Sequence, residues 1–263
     1  MDFMSIIGLL SGVGFLGAAI IMSGAIENFF DLMSVFIVFG GTFAALMITF
    51  PAKVFAALPK TFSKVFLPQK FNPLTYIDDI IQIATIVRKS GLLSLEDRIR
   101  DYKDDFLRKG IQLAVDSTEA DDLRDIMESE LAFMIERHKQ GTLFFEKGAS
   151  YAPAFGMMGT LIALINMLKT ISGDDITSLV VNMGMALITT FYGSILANLI
   201  FIPSANKLAQ RSEEEILCKQ ITIEGLISII NGTNPRNIEE KLLSYIPPAM
   251  RKNAKRSGRG SDE

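Results

Sequence analysis

Ala186, Thr190, Ser194 and Asn198 recur at strict four-residue spacing, so they share one face of a helix. Thr189, Gly193 and Ala197 lie beside that stripe. Upstream, Thr160 and Asn166 stand on a stretch kept narrow by Gly156, Gly159 and Ala163. Such hydroxyls and amides do not titrate near neutral pH, but their oxygens can replace water around a cation. Two helices with facing narrow, polar sides suit the lining of a hydrated path or a seat for a further helix, and polar residues inside a membrane often mark such paths. The plainer alternative is that each hydroxyl bonds the carbonyl one turn back on its own helix.

These residues belong to two of four long apolar stretches, Phe3–Met22, Leu32–Phe50, Ala149–Leu168 and Leu179–Ile202. Each is about 20 residues, enough helix to cross a hydrocarbon core about 30 Å thick. None carries an acid or a base, so an ion-driven machine built on these spans needs its titrating group from another chain. The first two carry Gly8, Gly12, Gly14, Gly40, Gly41, Ala44 and Ala45, which allow close packing in lipid and read as scaffold. Pro153 and Pro203 fall at the inner ends of the third and fourth stretches. Each removes a backbone donor and can kink its helix, either as a plain boundary or as a hinge joining a membrane helix to the cytoplasmic part.

Orientation follows from the basic residues. The loops Ser23–Asp31 and Thr170–Ser178 contain Glu27, Asp31, Asp174 and Asp175 but no Lys or Arg. Lys53, Lys60, Lys64 and Lys70 follow the second span, and Lys207 and Arg211 follow the fourth. The positive-inside rule then makes the central segment and both termini cytoplasmic. The predicted fold class is an all-α integral membrane protein with four transmembrane helices in two pairs. Residues 1–50 hold the first pair, 51–148 a cytoplasmic helical domain, 149–202 the second pair, 203–246 a cytoplasmic helical extension and 247–263 a disordered tail. The N-terminal apolar run lacks a basic leader and is expected to stay as a span.

Inside the central segment, Asn72-Pro73 predicts a helix start, and Ile77, Ile80, Ile81, Ala84 and Val87 give it one apolar face up to Gly91. Ser94 to Asp97 predicts the cap of a second helix. A third is expected from Thr118–Asp121 through Glu146, running on into the third span. The fourth span is expected to extend through Ala205–Ile230 to a stop at Asn231-Gly232, followed by a short helix over Asn237–Tyr245. Arg88, Lys89, Glu96, Asp97, Arg98 and Arg100 cluster around the Gly91 turn, as a solvated face or a docking edge.

Composition narrows the rest. The net charge of −3 gives no bulk basicity for nucleic acid. A single cysteine, Cys218, excludes an internal disulfide and reads as a buried small hydrophobe, and the single histidine, His138, supplies no metal site. There is no phosphate-binding loop, dinucleotide fingerprint or nucleophile elbow, so no enzyme activity and no cofactor are expected.

Three ordered motifs carry a family resemblance. Ala152-Pro-Ala-Phe-Gly-Met-Met-Gly-Thr-Leu161 resembles the third-span signature of the MotA/PomA flagellar stator subunits. Met185 through Gly193, then Ala197-Asn198 and Ile202 through Lys207, resemble the fourth, and Arg88 through Glu96 resembles the family's charged cytoplasmic motif. The resemblance implies a homo-pentameric ring in the bacterial inner membrane around two copies of a MotB/PomB-type subunit, which supplies the transmembrane aspartate. Ion flow past that aspartate would turn the ring against the flagellar rotor. By the same resemblance, Thr190 would sit beside the partner's aspartate, with Thr160, Thr189, Ser194 and Asn198 along the path. Pro153 and Pro203 would be coupling hinges. Arg88 and Glu96, with Glu130, would contact the rotor's switch protein. The transported cation is a proton or sodium, and Thr160, Thr189 and Thr190 together resemble the sodium-using PomA-like branch. Two other readings compete. One is an ExbB/TolQ-like energiser, a related ring that usually has three spans; the other is a non-energised scaffold whose polar stripe only packs helices.

Overall fold

The computed structural model describes residues 3–24, 26–67, 71–170 and 176–251, and among them every regular element is helical. The acidic residues Asp174 and Asp175 and the tail beyond Arg251 lie outside the described residues. The chain divides into two compact units, Met1–Gln69 with His138–Gln210, and Lys70–Arg137 with Arg211–Glu263.

The first unit contains the apolar helices. α1 is Phe3–Met22. The second span is built from α2 (Leu32–Val35), a π-helical turn over Phe36–Gly40, and α3 (Gly41–Thr49). α4 (Ala52–Phe66) follows Pro51. α7, Ala120–Thr170, enters this unit at His138 and carries the third span through Pro153 without a break. α8 (Ile176–Ile195), a π-helical stretch over Leu196–Phe201 and the start of α9 (Ile202–Ile230) form the fourth. Among the described residues, four helices are long and apolar enough to cross a membrane. Their outer faces keep large apolar side chains in the open: Phe15 is 78% exposed and Ile48 88%, as expected where lipid is the solvent. The interior is small and aromatic. Phe144 lies 5.4 Å from Phe50 and 5.6 Å from Phe55, centroid to centroid, and Phe145 stacks on Phe62.

The second unit has an aliphatic core of Ile77, Ile80, Ile83, Leu95, Ile111, Leu123, Met127, Ile221, Leu226, Ile238 and Leu242, all almost fully buried. α5 (Pro73–Ser90) begins as expected: the Asn72 side chain accepts from Leu74 N at 3.1 Å, and Pro73 needs no partner for a missing N–H. Gly91, at φ +81°, ends it.

The expected helix starting at Ser94 does not form. Leu92–Asp101 is a 3₁₀ stretch, and the Ser94 hydroxyl donates back to the Gly91 carbonyl at 2.6 Å instead of capping. The true cap is Asp104, whose carboxylate accepts from Phe106 N and Leu107 N and starts α6 (Asp105–Val115). The last helix, α10, covers Pro235–Leu243, two residues earlier than expected, because Asn234-Pro235 repeats the cap-and-proline device of Asn72-Pro73. The long continuations of the third and fourth spans are present as expected, and Gly232 at φ +69° closes α9. Cys218 is fully buried and unpaired.

Candidate functional site

The third and fourth spans meet backbone to backbone. A Cβ added at Gly193 would lie 2.7 Å from the Ala152 carbonyl oxygen and 3.2 Å from Pro153 Cα. One added at Gly156 would lie 3.0 Å from the Thr189 carbonyl oxygen and 3.3 Å from Thr190 Cα. Only glycine permits this approach, which is how small residues replace the missing hydrophobic drive between helices in lipid. Gly159 is covered by the Thr189 side chain in the same way.

This packing sorts the polar stripe. Thr189 is fully buried, its hydroxyl donating to the Met185 and Ala186 carbonyls. Thr190, next in sequence, is exposed and turned away from that contact. Thr160, Thr190 and Ser194 come together in one groove of about 550 Å³ whose remaining lining is Leu164, Met183, Ala186, Leu187 and Phe191. Thr189 and Asn198 are not in its lining. Asn198 lies one turn along the stripe, its amide donating to the Ser194 carbonyl at 2.9 Å and to the Ser194 hydroxyl at 3.3 Å.

Both groove threonines bond their own helix. Thr160 Oγ1 donates to Met157 O at 2.6 Å, and Thr190 Oγ1 donates to Ala186 O at 3.3 Å. Back-bonding is therefore real here, but it does not silence the hydroxyls. Each has one proton and two lone pairs, so once the proton is given to a carbonyl the oxygen presents only acceptor capacity. The groove offers acceptors among apolar walls, an arrangement suited to a cation, a water or a protonated carboxyl. Among the described residues no cluster of His, Cys, Asp or Glu could hold a metal ion.

Pro153 is half-buried beside Gly193, and α7 passes through it. Pro203 lies two residues beyond the π-helical stretch Leu196–Phe201, where the missing proline N–H makes a wider turn the natural accommodation. Sequence reading missed Tyr192. Its hydroxyl donates to the Phe29 carbonyl at 2.5 Å and accepts from Asp31 N at 3.4 Å, tying the middle of the fourth span to the turn before α2. Asp31 itself caps α2, accepting from Ser34 N at 2.7 Å. A tyrosine inside an apolar span, whose hydroxyl needs a partner there, was the available signal.

In the second unit, Arg88 is exposed in the last turn of α5 and Glu96 is exposed in the 3₁₀ stretch, whose Leu95 is anchored in the core. Glu130 is half-exposed on α7 and accepts from Lys109 Nζ at 2.5 Å. The network sequence reading could not find centres on Asp104. It accepts from Lys219 Nζ at 2.7 and 2.8 Å and from the Tyr76 hydroxyl at 2.5 Å, joining α5, α6 and α9. Burial alone would raise the Asp104 carboxyl, but the Lys219 ammonium and the Tyr76 hydroxyl outweigh it and hold it below the usual carboxylate range.

The fold and groove define a multi-pass α-helical membrane protein with a hydroxyl-bearing groove on its last two spans. Residues 98–221 match the MotA/TolQ/ExbB proton channel family. Motility protein A of Treponema pallidum is 36% identical over 252 residues, covering 96% of each chain. The uncharacterized protein YtxD of Bacillus subtilis is 42% identical over 240 residues, 91% of this chain and 85% of that one. The structure of the flagellar MotAB stator complex from Bacillus subtilis superposes with a TM-score of 0.86 at 31% identity, covering 96% of this chain and 99% of that one. The chain belongs to the MotA/PomA family of flagellar motor stator subunits.

Proposed function

We propose that this chain is the A subunit of an ion-driven stator in the bacterial inner membrane. A ring of its copies surrounds a MotB/PomB-type partner whose transmembrane aspartate faces the groove formed by Thr160, Thr190 and Ser194. The observation that carries this reading is the groove itself, with its acceptor oxygens set in apolar walls on spans that hold no carboxylate or basic side chain. A carboxylate entering it completes a site for a proton or a sodium ion. Asn198 extends the path by one turn, and Thr189 holds the wall on the third span. The chain is a channel component and not an enzyme.

The driving force is adequate. One elementary charge crossing 100 mV releases about 2.3 kcal/mol, enough to bias a two-state movement about fiftyfold. Pro153 and the widened turn before Pro203 are where such movement would pass out of the membrane helices. Arg88, Glu96 and Glu130 then form the charged face offered to the rotor's switch protein. With the basic residues after the second and fourth spans inside, both termini are cytoplasmic. Likeness to motility protein A across 96% of both chains, together with four apolar helices, favours this reading over an ExbB/TolQ-type energiser.

Swimming speed measured as sodium is varied at fixed pH, with a protonophore as control, assigns the ion. Speed that follows sodium and survives the protonophore means sodium, and collapse with the protonophore at any sodium level means protons. Motility insensitive to both would overturn the stator reading.

A further inference from the structure

The second unit holds a pocket of about 270 Å³ where the end of α5 meets the turn between α9 and α10. Its floor is apolar, formed by Ala84 and Val87 of α5 and Ile229 of α9. Its polar lining comes from Arg88, Thr233 and Asn234, which the fold brings together from distant parts of the chain. Arg88 is exposed, and its guanidinium makes no ion pair or hydrogen bond among the described residues. Asn234 spends its side-chain oxygen on Arg236 N at 3.1 Å to cap α10, which leaves its amide N–H groups to donate elsewhere. Thr233 is half-buried and fixed by its backbone N–H, which donates to the Ser228 carbonyl at 3.0 Å, while its hydroxyl has no partner within the chain.

No Asp or Glu lines this pocket. Three unspent donor groups over an aliphatic floor fit one ligand chemistry, a carboxylate on a short aliphatic stem. The stem covers Val87 and Ile229, and the two oxygens accept from the Arg88 fork, the Thr233 hydroxyl and the Asn234 amide. A basic side chain would meet Arg88 with no carboxylate to offset it. We propose that the pocket receives an acidic side chain of the rotor's switch protein, so that the turn between α9 and α10 belongs to the same contact as Arg88. This rests on the stator reading and adds to it Thr233, Asn234 and the charge of the group they hold. Opposite charge at Arg88 sets the register of that contact.

The test measures binding of the purified rotor switch protein to the complete stator complex in lipid nanodiscs, with recovery of each intact complex checked by size-exclusion chromatography. Arg88→Ala is expected to raise Kd about fivefold, the size of one part-exposed ion pair. Thr233→Asp sets an acid in the pocket itself and should raise Kd by a similar factor, whereas Thr233→Asn keeps a donor and should bind normally. Thr233→Lys should return Arg88→Ala to within about twofold of the unaltered Kd, because it restores a cation to the same pocket. Glu239→Lys, exposed on α10 and outside the lining, should give no such rescue. Weakening by Arg88→Ala with no effect of Thr233→Asp would overturn the pocket and leave the rotor contact standing. Tighter binding with Thr233→Asp, or equal rescue by Glu239→Lys, would overturn it as well. No binding of the rotor protein to the unaltered complex would overturn both the stator reading and this proposal.

Discussion

Thr190 spends its only proton on the Ala186 carbonyl, so its oxygen can act in the groove only as an acceptor. Replacement by valine keeps the volume and removes that acceptor. Thr190→Val is expected to lower ion flux through the assembled complex by about tenfold or more, the effect of losing about 1.4 kcal/mol of cation stabilisation. Thr190→Ser should retain most of it, and co-purification of the partner should be unchanged in both. Asp104 has a structural role of the opposite kind. Asp104→Asn leaves Lys219, 8% exposed at its side chain, without its counter-charge, and is expected to cost about 3 kcal/mol in thermal unfolding. Because the folded carboxyl is held below its ordinary value, its contribution is complete above the unfolded value of about 4 and is lost as pH falls through the depressed folded value. Unfolding followed from pH 7 to pH 3 should show this loss in the unaltered protein and a flatter profile in Asp104→Asn. The hydroxyl stripe was legible because its members are four residues apart. The Asp104 clamp was not, because Tyr76 and Lys219 reach it from distant parts of the chain.

The third and fourth spans owe their close approach to Gly156 and Gly193, where a Cβ meets backbone that has no room to give. Gly193→Leu should separate the two helices and reduce recovery of the intact complex, measured by size-exclusion chromatography, whereas Gly184→Ala, where a Cβ meets nothing within 4 Å, should be silent. Pro203→Leu restores a backbone donor next to the π-helical stretch and favours an ordinary α-helical turn. It is expected to leave assembly intact and to lower stall force, and an unchanged stall force would remove the hinge role. Helix existence was readable from apolar runs and from caps such as Asn72-Pro73. The start at Ser94 was misread because a serine can satisfy a carbonyl as readily as cap a helix, and local sequence does not say which. The sorting of Thr189 from Thr190 was also unreadable, since adjacent residues differ by only about 100° around a helix and the packing partner decides which one is buried.

Over the entire chain, the absence of carboxylates and basic side chains from all four apolar stretches is the feature on which the rest depends. In the proposed stator it leaves the titrating group to the partner. The charged residues Arg88 and Glu96 of the second unit are the proposed rotor contact. Arg88→Glu combined with Glu96→Lys should impair swimming while the complex assembles and conducts normally. In the proposed stator the conducting carboxylate comes from another protein, and ion flux into vesicles under a fixed membrane potential tests this. Vesicles containing this chain alone should show no flux above empty vesicles. Vesicles with the aspartate-bearing partner should conduct, and those whose partner carries Asn in place of that Asp should fall back to background. Sustained flux of protons or sodium through this chain by itself would contradict the claim.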